Sequence, residues 1–130
     1  ILSQRQWSSA EYQYMYPPRD LSGEDYYAAT QAKTYFEKAL QLTKNSEIAA
    51  KAAFGASMCA RNAFALFQAA EGREVGYSEN EQAAFTARMN TEARKRLSTY
   101  FGLLKNNYPT TQYTREVIEE CSTYRNFIGQ

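Results

Sequence analysis

Apolar residues recur at spacings of three and four along most of the chain, a pattern typical of amphipathic helices. One such stripe predicts a helix from about residue 24 to residue 43, and its members are Ala29, Ala32, Phe36, Ala39 and Leu40. A second predicts a helix from about residue 47 to residue 71, and its members are Ile48, Ala52, Ala56, Cys59, Ala63, Phe67 and Ala70. Asn45 or Ser46 is expected to cap the second helix, and Gly72 to end it in a left-handed conformation.

Two further helices are predicted in the second half of the chain. Ser78 is followed three residues later by Glu81, a capping-box pattern that opens a helix to about Asn106, with Asn90-Thr91 as a candidate interruption. After Pro109, Thr110 or Thr111 caps a fourth helix that runs to Gly129; its apolar residues are Tyr113, Val117, Cys121, Tyr124 and Ile128. Because the connections within each pair are short, consecutive helices should be antiparallel neighbours.

Residues 1–22 follow a different pattern. Tyr12, Tyr14 and Tyr16 alternate with other residues and are followed by two prolines, which favours an extended chain over a helix. The chain therefore divides into an extended Tyr-rich N-terminal segment, residues 1–22, that packs on the helices, and a helical domain, residues 23–130.

The tripeptide Thr-Tyr-Phe occurs twice, at Thr34–Phe36 and at Thr99–Phe101. Shifting the sequence by 65 positions also aligns four apolar pairs, which are Ala39 with Leu104, Ile48 with Tyr113, Ala52 with Val117 and Ala56 with Cys121. A repeated helical phrase of this kind indicates stacked helix-turn-helix units. Phe36 and Phe101 are then expected to occupy equivalent sites, each packing on the helix that follows it.

This phrase resembles part of a known helical repeat. Leu97-x3-Phe101-x2-Leu104-x4-Pro109 resembles the second helix and closing proline of a tetratricopeptide repeat, and Ala32-x3-Phe36-x2-Ala39 resembles the same helix with Lys44 in place of the proline. The string Tyr108–Tyr113 also looks like the joint between repeats in repeat proteins of the bacterial envelope. The resemblance implies an all-α fold of about four long helices, whose antiparallel αα-hairpins stack in a tetratricopeptide-like right-handed arrangement.

Composition argues against several classes of function. The 130 residues carry 15 Lys and Arg against 14 Asp and Glu without a long basic run, so no nucleic-acid surface is expected. Histidine, the commonest general base and metal ligand, is absent. Cys59 and Cys121 are too few for a zinc site and are expected to be free thiols. We therefore predict a protein without catalytic residues, metal or cofactor, and no apolar run is long enough to span a membrane.

The sequence best predicts a noncatalytic protein–protein interaction or scaffolding domain. Its partner would be another protein or other domains of its parent chain, and a homo-oligomer stays open. Trp7, Tyr12, Tyr14 and Tyr16 are the predicted partner-binding residues, because aromatic side chains supply large contact areas. Since the sequence starts at Ile1, we interpret it as a piece of a longer protein, and the resemblance favours the exported side of a bacterial envelope over the cytoplasm.

Two alternatives to this function remain open. One is an accessory domain that binds a glycan or small molecule through Tyr12, Tyr14 and Tyr16. The other is a structural support domain within a larger multidomain protein.

Overall fold

A computed structural model describes residues 29–130, and this part of the chain contains α-helices and no strand. The helices are α1 (Thr30–Leu42), α2 (Ser46–Gly72), α3 (Glu79–Asn106), α4 (Gln112–Glu120) and α5 (Ser122–Ile128). The predicted all-α class is therefore confirmed for these residues. None of these five helices is long and apolar enough to cross a membrane. The predicted N-terminal segment, residues 1–22, lies outside the described residues.

Side-chain caps fix the starts of three helices where the sequence placed them. Asn45 accepts hydrogen bonds from two amides in the first turn of α2, at 2.9 and 3.2 Å. Ser78 and Thr111 each accept one, at 3.2 and 3.1 Å, from the amide three residues further on. These bonds satisfy N–H groups that have no partner within their own helix.

The structure differs from the sequence expectations at three points in these helices, although the predicted ends of the second and third helices agree with it. The helix predicted from about residue 24 to residue 43 is not continuous at Ala29, whose φ of 53° is left-handed; within the described residues, helix α1 begins at Thr30. The third helix continues through Asn90-Thr91, where the Thr91 hydroxyl donates to the carbonyl one turn back at 3.1 Å and needs no cap position. Gly72 is the last residue of α2, as expected, but its φ is not left-handed. Among the described glycines only Gly129 has a left-handed φ, at 84°.

The predicted fourth helix is two helices, because the chain breaks at Cys121. This residue has extended φ and ψ angles of −110° and 101°. The Arg125 guanidinium donates to the carbonyls of Ile118 and Glu119, both at 2.8 Å, and so satisfies acceptors at the end of α4. The break turns α5 back onto α3, where Tyr124 is 1% exposed.

Helix α2 makes the most extensive packing contacts with the other described helices. Both α1 and α3 pack along it, α4 lies beside its first half, and α5 lies against α3 and α4. Small side chains on α2 allow the neighbouring helices to approach closely. The main core lies between α2, the C-terminal part of α3, α4 and α5; its fully or nearly fully buried members are Ala50, Ala53, Phe101, Leu104, Val117 and Tyr124.

α1 is joined to both of its neighbours. Its Phe36 ring lies so close to Gly55 of α2 that a β-carbon there would stand 2.6 Å from the ring. The Tyr100 hydroxyl of α3 donates to the Glu37 carboxylate, and Lys33 lies 3.9 Å from the same carboxylate. Phe36 and Phe101 thus both pack on later helices, although Phe36 is partly exposed and Phe101 is fully buried.

Buried tyrosines predict a loss of stability in alkali. Burial raises the pKa of Tyr100, Tyr113 and Tyr124, and the hydrogen bond to Glu37 adds to the increase at Tyr100. The folded state thus favours the neutral phenols. Their stabilisation is complete below about pH 10, where unfolded tyrosines ionise, and is lost as the pH rises above it. We expect the urea midpoint to fall between about pH 8 and about pH 11.

Phenylalanine variants separate this effect from other alkaline titrations. Tyr124→Phe should reduce the alkaline fall in the urea midpoint, because it removes a buried ionisable phenol. Tyr77→Phe is the control, since Tyr77 is 100% exposed, and should leave the fall unchanged. Equal falls in the two variants would show that the phenol of Tyr124 is not a source of the alkaline loss.

Candidate functional site

A groove lies between α2 and α4 and consists of two adjoining depressions. The first, of about 350 Å³, extends from Phe54 to Arg61 along α2. The second, of about 270 Å³, shares Tyr113 and Glu116 with the first and continues the groove to Lys51 and Glu47. The two helices run side by side in the same direction, with Glu47 at the start of α2 beside the start of α4. At the other end of the groove, Arg61 of α2 lies near the break at Cys121. The end of α4 at this break leaves the second half of α2 without an α4 neighbour.

The floor of the groove is mainly apolar. Phe54 and Tyr113 form its aromatic part, with ring centroids 6.0 Å apart and an edge-to-face angle of 69°. Val117 is buried beneath, while Met58 and Cys121 are partly exposed along the groove. An apolar surface that stays open to solvent in this way is suited to binding another apolar group.

Charged side chains of opposite sign form the two rims. Lys51 and Arg61 stand on the α2 rim, and Glu116 and Glu120 stand on the α4 rim; all four are exposed. The Lys51 ammonium lies 5.8 Å from the centre of the Tyr113 ring. Within the part of the chain that the structure describes, none of these four residues forms an ion pair.

Glu47 holds the start of α4 against α2. One carboxylate oxygen accepts from the Gln112 amide at 2.7 Å, and the other accepts from the Tyr113 amide at 3.1 Å. These amides belong to the first turn of α4 and have no partner within that helix. A carboxylate from a different helix therefore acts as an additional cap and fixes one end of the groove.

Removing this clamp should loosen α4. We expect Glu47→Ala to lower the free energy of unfolding by about 1–2 kcal/mol, as the loss of a helix cap does. Hydrogen exchange of the α4 amides should accelerate more than exchange in the middle of α2. Glu79→Ala is the matched control, because Glu79 also lies in a first turn, that of α3, and has no side-chain bond to another helix among the described residues. Equal effects of the two substitutions would refute the clamp.

Both cysteines are free thiols, and Cys59 lacks the surroundings of a reactive one. Cys59 is buried, and this burial raises its pKa against a smaller opposing effect of Lys33. A raised pKa leaves less of the nucleophilic thiolate at neutral pH. Among the described residues, no group of three or more His, Cys, Asp or Glu side chains is placed to hold a metal ion.

The partner-binding residues predicted from the sequence, Trp7, Tyr12, Tyr14 and Tyr16, lie outside the described residues and stay a prediction. Sequence reasoning missed the α2–α4 groove. Its floor residues Tyr113, Val117 and Cys121 belong to the apolar stripe of the predicted fourth helix, and such a stripe by itself favours a buried face over an open surface. The available signal was the pairing of Lys51 with Glu116 under the 65-residue shift, which places opposite charges on equivalent helices.

Comparison with known proteins gives no relative. The chain matches no family model, no curated protein and no solved structure.

Proposed function

We propose that this protein is a noncatalytic interaction domain whose α2–α4 groove binds a segment of another protein. The observation that carries the proposal is the open apolar floor between two charged rims. Binding sites combine an accessible apolar area with a few polar groups that fix orientation, and the groove has both.

The proposal includes a tetratricopeptide-like stacking of the helices. The 65-residue shift makes α4 the equivalent of the first part of α2, and these two helices lie side by side in the same direction. Glu47 bonds to the amide of Gln112, which is its own equivalent under the shift. Stacked repeats bring equivalent helices together in this way and form a binding surface along them.

Exposure of the polar groups supports binding over catalysis. Acid–base catalysis by paired carboxylates depends on burial that separates their proton affinities. Glu116 and Glu120 are both exposed, and the nearby thiol of Cys121 has no histidine to activate it.

Peptide selection followed by one substitution tests the proposed function. Peptides that bind the intact protein would be selected from a random library. The affinity of each selected peptide would then be measured for the unchanged protein and for the Met58→Glu variant. We expect at least about a tenfold loss of affinity, because the new carboxylate stands in the apolar floor and loses its hydration when the peptide binds.

Ala83→Glu provides the control. Ala83 is exposed near the start of α3 and lies outside the groove. Selected peptides should bind this variant like the unchanged protein, and thermal unfolding should show that both variants fold. If no selected peptide loses affinity on Met58→Glu, the groove is not the binding site and the proposal fails.

A further inference from the structure

We propose that the guest of the α2–α4 groove is an amphipathic helix of about three turns, with acidic residues along one flank and basic residues along the other. This inference rests on the proposed function, and it adds the conformation and charge pattern of the partner.

The walls of the groove favour a helical guest. Both walls are α-helices, whose interior N–H and C=O groups are already bonded within each helix. An extended guest would bring unpaired peptide groups against these walls and against an apolar floor, where they would find few partners. A helical guest satisfies its own backbone and presents only side chains to the groove.

The length of the groove sets the length of the guest. From Lys51 to Arg61 there are ten residues of α2, which rise about 15 Å at about 1.5 Å per residue. A guest helix of similar length has about three turns. Apolar side chains at positions i, i+4 and i+7 would lie on one face and meet the floor around Phe54, Met58 and Tyr113.

The two rims select the flanks of the guest. A guest with two acidic flanks would pair with Lys51 and Arg61 but would be repelled by Glu116 and Glu120. A guest with two basic flanks would pair with the two glutamates but would be repelled by Lys51 and Arg61. Only a guest with one flank of each sign pairs with both rims. Because the rim residues are exposed, these pairs should contribute more to selectivity than to affinity.

Three synthetic peptides test this inference on the intact protein. They share one leucine stripe on a helix of three to four turns, and their flanks are both acidic, both basic, or one of each. We expect the mixed peptide to bind about tenfold more tightly than either of the others at low salt, measured by fluorescence anisotropy. Circular dichroism should show that it gains helix on binding. Turning a helix end over end exchanges its flanks, so a mixed peptide matches both rims in one of its two binding directions, whichever flank of the peptide carries the acidic residues.

Charge reversal on one rim should move the preference. Lys51→Glu with Arg61→Glu makes both rims acidic, so the all-basic peptide should become the tightest of the three. Lys38→Glu with Arg94→Glu changes the net charge equally at exposed sites on α1 and α3 and should leave the mixed peptide tightest. This control separates the rims from the net charge of the protein.

The outcomes distinguish the inference from the proposed function. Equal affinity for the three peptides, or an unchanged preference after rim reversal, would overturn the charge-matched helix. Library-selected peptides that need Met58 but gain no helix on binding would overturn it too, while the proposed function would stand. If no peptide of either kind depends on Met58, both are overturned.

Discussion

Phe101→Ala is expected to lower the free energy of unfolding by about 3–5 kcal/mol. The Phe101 ring is 0% exposed and meets Tyr124 and Phe127 of α5 edge to face, with centroid distances of 5.2 and 5.4 Å. Removing it takes away its transfer free energy and leaves a cavity where α3, α4 and α5 meet. Denaturant titration followed by circular dichroism measures the loss.

Phe36→Ala is the matched comparison, because Phe36 holds the same place in the duplicated tripeptide. Phe36 is partly exposed and packs on α2 in a second, smaller hydrophobic cluster. Removing its ring should therefore lower the free energy of unfolding clearly less than removing the Phe101 ring. If the two substitutions lower the free energy of unfolding by the same amount, the conclusion that Phe101 is more deeply buried than Phe36 would be refuted.

The second large effect is expected at Gly55, in the middle of α2. Gly55→Ala should destabilise the protein by about 1–3 kcal/mol, because the added β-carbon would stand 2.6 Å from the Phe36 ring and force α1 away from α2. This outcome opposes the usual gain of up to about 1 kcal/mol when alanine replaces glycine inside a helix. Thermal or denaturant unfolding gives the sign directly.

Two variants make this prediction specific. Gly102→Ala in α3 should stabilise, since a β-carbon there would meet only the Asn106 amide, at 4.0 Å. Combining Gly55→Ala with Phe36→Ala should turn the effect of the first substitution into a gain, because the obstructing ring is gone. A loss of the same size with and without Phe36 would show that the close approach of α1 is not the cause.

Local chemistry explains what could be predicted. Helix stripes and caps act within a few residues of sequence, so the sequence predicts the start of α3 at Ser78, that of α2 at Asn45 or Ser46, and that of α4 at Thr110 or Thr111. The structure has Ser78, Asn45 and Thr111 as the caps. The same local rules predicted a helix through Cys121, since neither glycine nor proline interrupts it. There the burial of Tyr124 against α3 outweighs the local preference.

The groove depends on contacts that no local pattern encodes. An acidic residue in a first turn favours its own helix dipole wherever it occurs, and nothing in the sequence says that Glu47 caps a different helix. The open floor beside Met58 likewise follows from how far α4 extends before the chain turns.

By itself, the sequence determined the all-α class of the helical domain, which the structure confirms for residues 29–130, the candidate side-chain caps of α2, α3 and α4, and the 65-residue spacing of a duplicated phrase. These follow from side chains acting on neighbouring backbone. Only the tertiary structure decided that Phe101 is buried while Phe36 is partly exposed, that the last helix breaks at Cys121, and that α2 and α4 enclose a groove. The reason is that burial is shared among helices distant in sequence, and each apolar stripe is compatible with several neighbours until packing selects one.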